Sequence, residues 1–121
     1  MARILIVDDS PTELHVLRRL LEKHGYQILV AHDAVQAIDL ARRERPDLIL
    51  MDVVMPGMSG FQATRKLARD QQTASIPVFI VSSKNQESDR VWGLRQGAVD
   101  YVLKPVNEHD IIPRMNAVLG T

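Results

Sequence analysis

Short apolar runs recur along the chain, and four of them end abruptly on polar residues. Ile4-Leu5-Ile6-Val7 stops at Asp8-Asp9, and Leu48-Ile49-Leu50-Met51 stops at Asp52. Val78-Phe79-Ile80-Val81 stops at Ser82-Ser83, and Tyr101-Val102-Leu103 stops at Lys104-Pro105. Runs this short, bounded by turn formers, read as strands buried on both faces of a parallel sheet. Tyr26 to Ala31 supplies a fifth strand. Between the strands the apolar spacing changes to that of amphipathic helices. Ser10-Pro11-Thr12-Glu13 has the form of a capping box with proline at the first helical position, and Leu14, Leu17, Leu20, Leu21 and His24 follow until Gly25. Asp33 with Gln36 opens a second helix whose narrow inner face is Ala34, Ala37, Ile38 and Ala41, and Pro46 closes that unit. Ser59 with Gln62 opens a third helix through about Arg69, with Phe61, Thr64, Leu67 and Ala68 inward. Asn85 or a neighbour caps a fourth, its inner edge marked by Val91, Leu94 and Ala98 and its end by Gly97. A fifth helix finishes near Leu119. Pro113 would fall in its second turn if it began at Asn107, so regular helix is expected to start late, capped by Asp110, or to kink there.

Strands alternating with helices imply right-handed crossovers and helices on both faces of the sheet. The predicted class is α/β, a flavodoxin-like (βα)5 doubly wound parallel sheet in the order 2-1-3-4-5. Such folds bind ligands outside the carboxyl ends of the strands, at the switch point between strands one and three. Asp8, Asp9, Asp52, Ser82 and Lys104 are therefore expected to converge, although they are distant in sequence.

Composition narrows the function more than the fold. Lys plus Arg and Asp plus Glu each total 15, for a formal net charge of zero, and the signs are interspersed. That leaves no electrostatic footprint for nucleic acid or an anionic membrane. There is no cysteine, which excludes disulfides, thiolate nucleophiles and Cys-based zinc sites. The first residues are broken by two aspartates and do not form a signal peptide, and no run is long enough to span a bilayer. The expectation is a cytoplasmic single domain over residues 1–121, without a second domain and monomeric in its unmodified form.

Three carboxylates within a few ångströms repel by about 4 kcal/mol per pair at an effective dielectric near 20. Either a pKa rises or a cation binds. An all-oxygen set on an open face suits Mg²⁺, with Mn²⁺ an acceptable substitute. Asp9 and Asp52 are expected as direct ligands with the Val54 backbone carbonyl, and Asp8 through water. Asp52, alone at its strand end, is the candidate phosphoryl acceptor. Lys104 supplies a point cation and Ser82 a hydroxyl donor to the transferred group, and Lys104-Pro105 is expected to be a cis peptide. Singly, an aspartate at a strand end is a turn former or helix cap, and a lone lysine is a solvated charge. It is their combination that points to phosphoryl chemistry. His15, His24, His32 and His109 share no ligand spacing and read as surface or packing residues. Met51, Met55 and Met58 read as core and loop packing. Trp92, in a polar helix, is expected to be half exposed, with packing and partner contact equally open.

These residues resemble a known family. Asp8-Asp9-Ser10-Pro11, the run from Met51-Asp52 through Met55-Pro56-Gly57-Met58-Ser59-Gly60, the Ser82-Ser83 pair, and Tyr101 with Lys104-Pro105 look like the receiver domain of bacterial two-component response regulators (CheY-like). The resemblance covers the whole chain. It implies Mg²⁺-dependent transfer from the phosphohistidine of a sensor histidine kinase to Asp52, with Ser82 and Tyr101 as switch residues. In relatives the hydroxyl is drawn to the phosphoryl group, the aromatic turns inward, and the surface of helix four, strand five and helix five changes partners. Trp92 and Tyr101 are candidates for that surface. The chain is not expected to turn over an external substrate. Met1 to Glu13, Gly60 to Arg65 and Val91 to Ala98 further resemble the stand-alone PilH-like receivers of the pilus twitching-motility chemosensory system. This implies a downstream protein related to the pilus motor, or a role as a phosphate sink for the kinase. A phosphohydrolase working through an aspartyl phosphate is the enzymatic alternative. Relatives of that kind carry an acid two residues past the nucleophile, where this chain has Val54. A flavin carrier is disfavoured because Asp8-Asp9 would repel the flavin phosphate. Val54 is expected to slow phosphate loss, and Pro113 to alter the signalling surface.

Overall fold

Ten elements alternate strictly along the computed structural model of the protein, which describes residues 1–120. They are β1 (Arg3–Val7), α1 (Pro11–Lys23), β2 (Gln27–Ala31), α2 (Ala34–Glu44), β3 (Leu48–Asp52), α3 (Gly60–Arg69), β4 (Val78–Ser82), α4 (Glu87–Arg95), β5 (Asp100–Leu103) and α5 (Glu108–Leu119). The five strands form one parallel sheet in the order β2-β1-β3-β4-β5, as the alternation predicts. Strand alternation divides the core. Leu5, Val7, Ile49 and Met51 face the alanines of α2 and Leu67 of α3. Ile4, Ile6, Leu48, Leu50, Phe79 and Val81 face Leu14 and Leu21 of α1 and Ile111 and Met115 of α5. Because β1 and β3 are paired with Val7 opposite Met51, the next residues, Asp8 and Asp52, leave the sheet side by side. β4 pairs with β5 so that Ser82 lies opposite Leu103, one residue before Lys104.

Local signals hold unevenly. The box around α3 closes fully, with Ser59 Oγ accepting from Gln62 N–H at 3.2 Å and Gln62 Oε1 accepting from Ser59 N–H at 3.0 Å. At α1 only half of it forms. Ser10 Oγ accepts from Glu13 N–H, but Ser10 N–H donates to Asp8 Oδ1 at 3.0 Å. At α2 Asp33 caps as expected, while Gln36 turns back to His32 N–H. The four expected inner residues of α2 are all buried. On α3 Ala63, not Ala68, is buried with Thr64 and Leu67, because Ala68 lies at the exposed flank nearest Gly97. On α4, capped at Gln86, Val91 is exposed and Gly93 takes the inner place. A Cβ on Gly93 would meet Ile80 Cδ1 at 2.9 Å, so no larger residue fits there without a shift.

The late start expected for α5 is wrong. Asn107 caps it, its side chain accepting from His109 N–H at 2.8 Å and its carbonyl from Ile111 N–H at 2.9 Å. The helix runs through Pro113 to Leu119. Proline removes one helical hydrogen bond, but Ile111 and Met115 on either side of it are fully buried, and their burial holds the helix across the gap. Lys104-Pro105 is cis, as expected.

Gly60 is required by proximity and not by φ. A Cβ there would lie 1.8 Å from the Asp52 carbonyl oxygen, and Gly60 N–H donates to the Val53 carbonyl at 2.9 Å. Gly60→Ala should cost about 3 kcal/mol in denaturant unfolding, with the loop after Asp52 displaced. Gly25→Ala, strained only by its positive φ in open space, should cost about 1 kcal/mol.

Candidate functional site

Residues from three strand ends meet at the carboxyl edge of the sheet. Asp8, Asp9 and Asp52 each bring a carboxylate oxygen within 4.8 Å of the others. Asp8 and Asp52 are buried, and Asp9 is exposed. Lys104, from just beyond β5, donates to Asp52 Oδ1 at 3.0 Å and to Asp8 Oδ2 at 3.1 Å. Of the five residues expected to converge, Asp8, Asp9, Asp52 and Lys104 do so, while the Ser82 side chain makes its hydrogen bond to Lys84 N–H instead.

A fourth acid joins them. Glu13 Oε1 lies 2.9 Å from Lys104 Nζ. Its spacing from Ser10 marked it as a capping residue, and that reading concealed the contact. The signal available in the sequence was its position one turn into a helix that begins beside the acid pair.

Burial raises the Asp52 pKa above the usual carboxylate range, and the hydrogen bond and charge of Lys104 only partly offset it. For Lys104 burial acts downward, but hydrogen bonds to Glu13, Asp52 and Asp8 outweigh it and hold the ammonium above its ordinary value. The two shifts are compatible because one cation is shared among several acids. The cluster remains short of positive charge.

Ser82 and Tyr101 meet at the loop after β4. Ser82 is buried, and its Oγ accepts from Lys84 N–H at 3.0 Å. The Tyr101 ring is turned inward, and its hydroxyl donates to the Lys84 carbonyl at 2.8 Å. Burial pushes the Tyr101 phenol up, against the pull of a hydrogen bond with Ser82. Lys104 N–H also donates to the Ser82 carbonyl at 2.9 Å, tying β5 to the same corner. Trp92 is half exposed on α4, as expected. All four histidines are exposed, and none joins the acids; His24 instead faces Glu108 at 2.6 Å. Met51 and Met55 are buried in the core, with Met58 packed against it.

The family model of the response regulator receiver domain matches residues 4–116. The chain belongs to that family. It is 59% identical over 120 residues to Protein PilH of Pseudomonas aeruginosa, covering 99% of each chain. It is 40% identical to the transcriptional regulatory protein CpxR of Escherichia coli, covering 98% of this chain but 50% of CpxR. Among solved structures, the receiver domain of a Pseudomonas aeruginosa sensor histidine kinase superposes with a TM-score of 0.91 at 29% identity, covering 99% and 98% of the two chains. That structure carries a magnesium ion coordinated in its active site cleft. The chemotaxis protein CheY4 of Vibrio cholerae matches with a TM-score of 0.91 at 28% identity, over 98% and 99%. The protein is thus a CheY-like receiver of two-component signalling, in a family that takes Mg²⁺ at an acidic pocket and phosphoryl groups from histidine kinases. No helix among the described residues is long and apolar enough to cross a membrane.

The donor set fits a hard divalent cation: three carboxylates, one of them exposed and without a partner among the described residues. Two measurements follow. Saturating Mg²⁺ at about one hundred times its dissociation constant should add about 2.7 kcal/mol of stability, read as a rise in Tm that EDTA reverses. In EDTA, Asp52→Asn should be more stable than the wild type at pH 7. The wild-type Asp52 pKa is higher folded than unfolded, so the native state holds the extra proton and ionisation at neutral pH works against it. The advantage of the variant should shrink as pH falls through the raised folded value toward 3.8, the unperturbed value.

Proposed function

We propose that the protein accepts a phosphoryl group on Asp52 from the phosphohistidine of a sensor kinase, and that it does so in the control of pilus-based twitching motility. The observation that carries the first part is the Lys104 ammonium fixed between Asp52 and Asp8, at 3.0 and 3.1 Å, inside a cluster of three carboxylates. An Asp52 oxygen forms the new P–O bond as the P–N bond of the donor breaks, and the bonding pair stays with the imidazole, which then takes up a proton. Asp9, Asp52 and the Val54 carbonyl would hold Mg²⁺, with Asp8 acting through water. Val54 is the carbonyl available, because that of Val53 already accepts from Gly60 N–H. The cation supplies charge neutralisation of the phosphoryl oxygens. Lys104 orients the group from the β5 side. Ser82 leaves its Lys84 N–H to donate to a phosphoryl oxygen, and Tyr101 packs behind it.

The assignment to twitching motility rests on 59% identity to Protein PilH from end to end, with the PilH-like texture of the sequence. The output surface is α4, β5 and α5, where a groove is lined by Arg90, Tyr101, Leu103, Asp110 and Arg114. Trp92, half exposed on α4, offers a downstream protein a large apolar side chain at the edge of that surface.

Incubation with acetyl phosphate and Mg²⁺ should add one phosphoryl mass, abolished by EDTA and by Asp52→Asn. Lys104→Ala should retain little of it. Loss of the mass in wild type, or its survival in Asp52→Asn, would remove Asp52 from the acceptor role. In the host, deletion should change the twitching zone, and a gene carrying Asp52→Asn should fail to restore it. Full restoration by that gene would sever the link between phosphorylation and motility.

Phosphate loss needs a water lined up behind the phosphorus. Val54, 65% exposed two residues past Asp52, offers that water only methyl groups. Val54→Asn should therefore shorten the phosphorylated lifetime several-fold without altering Tm; an unchanged lifetime would refute the role.

A further inference from the structure

An ammonium has three N–H donors, and three carboxylates crowd that of Lys104. It donates to Asp52 Oδ1 at 3.0 Å and to Asp8 Oδ2 at 3.1 Å, and it forms an ion pair with Glu13 Oε1 at 2.9 Å. The ammonium is thus engaged by carboxylate oxygens on three sides. For Lys104 to engage a group newly attached to Asp52, one existing contact has to be surrendered.

The three acids differ in what release costs them. The Asp52 and Asp8 side chains are 10% and 11% exposed, whereas that of Glu13 is 50% exposed. A buried carboxylate that loses its cation is left uncompensated, while Glu13 returns to water. Glu13 also has room to move. It borders a cleft of about 220 Å³ that runs from Asp8, Asp52 and Lys104 beneath α1, past Leu14, Leu17 and Val106. As the third residue of α1, its charge stays favourable at the helix N-terminus after release.

We propose that Glu13 is a positioning residue that holds the Lys104 ammonium while Asp52 is unmodified and yields it when a phosphoryl group arrives. The pair is then a built-in brake. It favours the unmodified state, and it ties the first turn of α1 to β5 only in that state. The inference rests on Asp52 being the acceptor.

Beryllofluoride, a non-covalent mimic of the phosphoryl group, separates the outcomes. It is titrated with Mg²⁺ into wild type, Glu13→Gln and Glu13→Asp, and binding is measured by calorimetry. Glu13→Asp keeps the charge but is one methylene shorter, so it breaks the contact without changing the field. Both variants should bind about threefold to tenfold more tightly than wild type, the value of one partly exposed charge-assisted hydrogen bond. Unchanged affinity in both overturns the proposal. Tightening in Glu13→Gln alone overturns it as well, since that is a field effect and not a contact. A second measurement needs no variant: in wild type the Glu13 carboxyl ¹³C resonance should shift on saturation with beryllofluoride, and a fixed resonance overturns the release. Failure of wild type to bind beryllofluoride, or to gain phosphoryl mass on Asp52, would instead strike the acceptor assignment beneath it.

Discussion

One ammonium set among four carboxylates is the constraint on which the carboxyl edge of this sheet depends. Lys104 touches Glu13, Asp52 and Asp8, and Asp9 stands beside them. In water these acids would separate. Here Asp8, Asp9 and Asp52 cannot, because the strands that carry them are paired in fixed register and buried on both faces, whereas Glu13 comes from the first turn of α1. The hydrophobic core supplies the force that holds like charges together, and this is what makes the site reactive. Burial raises the Asp52 pKa, and Lys104 only partly offsets it. One cation faces four carboxylates, and a divalent ion of the kind the family binds would supply the missing positive charge.

The corner beyond β4 is fastened differently, by hydrogen bonds that can be exchanged. Ser82 and Tyr101 grip the same residue, Lys84, through its N–H and its carbonyl. The helix that follows is weakly held. Gly93 is the only buried residue of α4, whereas α2 and α3 each bury four. An element with so little buried surface moves at low cost, and that is the property a switch surface needs. The acidic cluster thus adjoins a loosely packed helix, and the loop that begins at Ser82 leads from β4 to it.

Much of this was legible from the chain. The strand order, the meeting of Asp8, Asp9, Asp52 and Lys104, and the inner face of α2 all follow from short apolar runs and helical spacing. What escaped shares a physical cause: the outcome turns on a contact between distant segments. Gly93 replaces Val91 on the inner side of α4 because Ile80 and Tyr101 leave no space for a side chain. No local pattern singled out Gly60, where the carbonyl of Asp52 sits in the place of a Cβ. Pro113 promised a late start or a kink, yet the helix begins after Asn107, with Ile111 and Met115 buried on either side of the proline. Local propensity is a weak prior when tertiary packing opposes it.

The failed half of the capping box on α1 shows where to look when a local rule breaks. Ser59 and Gln62 satisfy the rule completely at α3, far from any charge that competes for them. At α1 both reciprocal partners are diverted toward the site. Ser10 N–H goes to Asp8, and the Glu13 carboxylate goes to Lys104. The Ser10 side chain still caps Glu13 N–H, and in place of the reciprocal bond one acid is oriented and one ammonium is held. Departures of this kind concentrate at functional sites, because only there does another interaction outbid a local preference. In this chain the departure falls on the residue that shares Lys104 with Asp8 and Asp52.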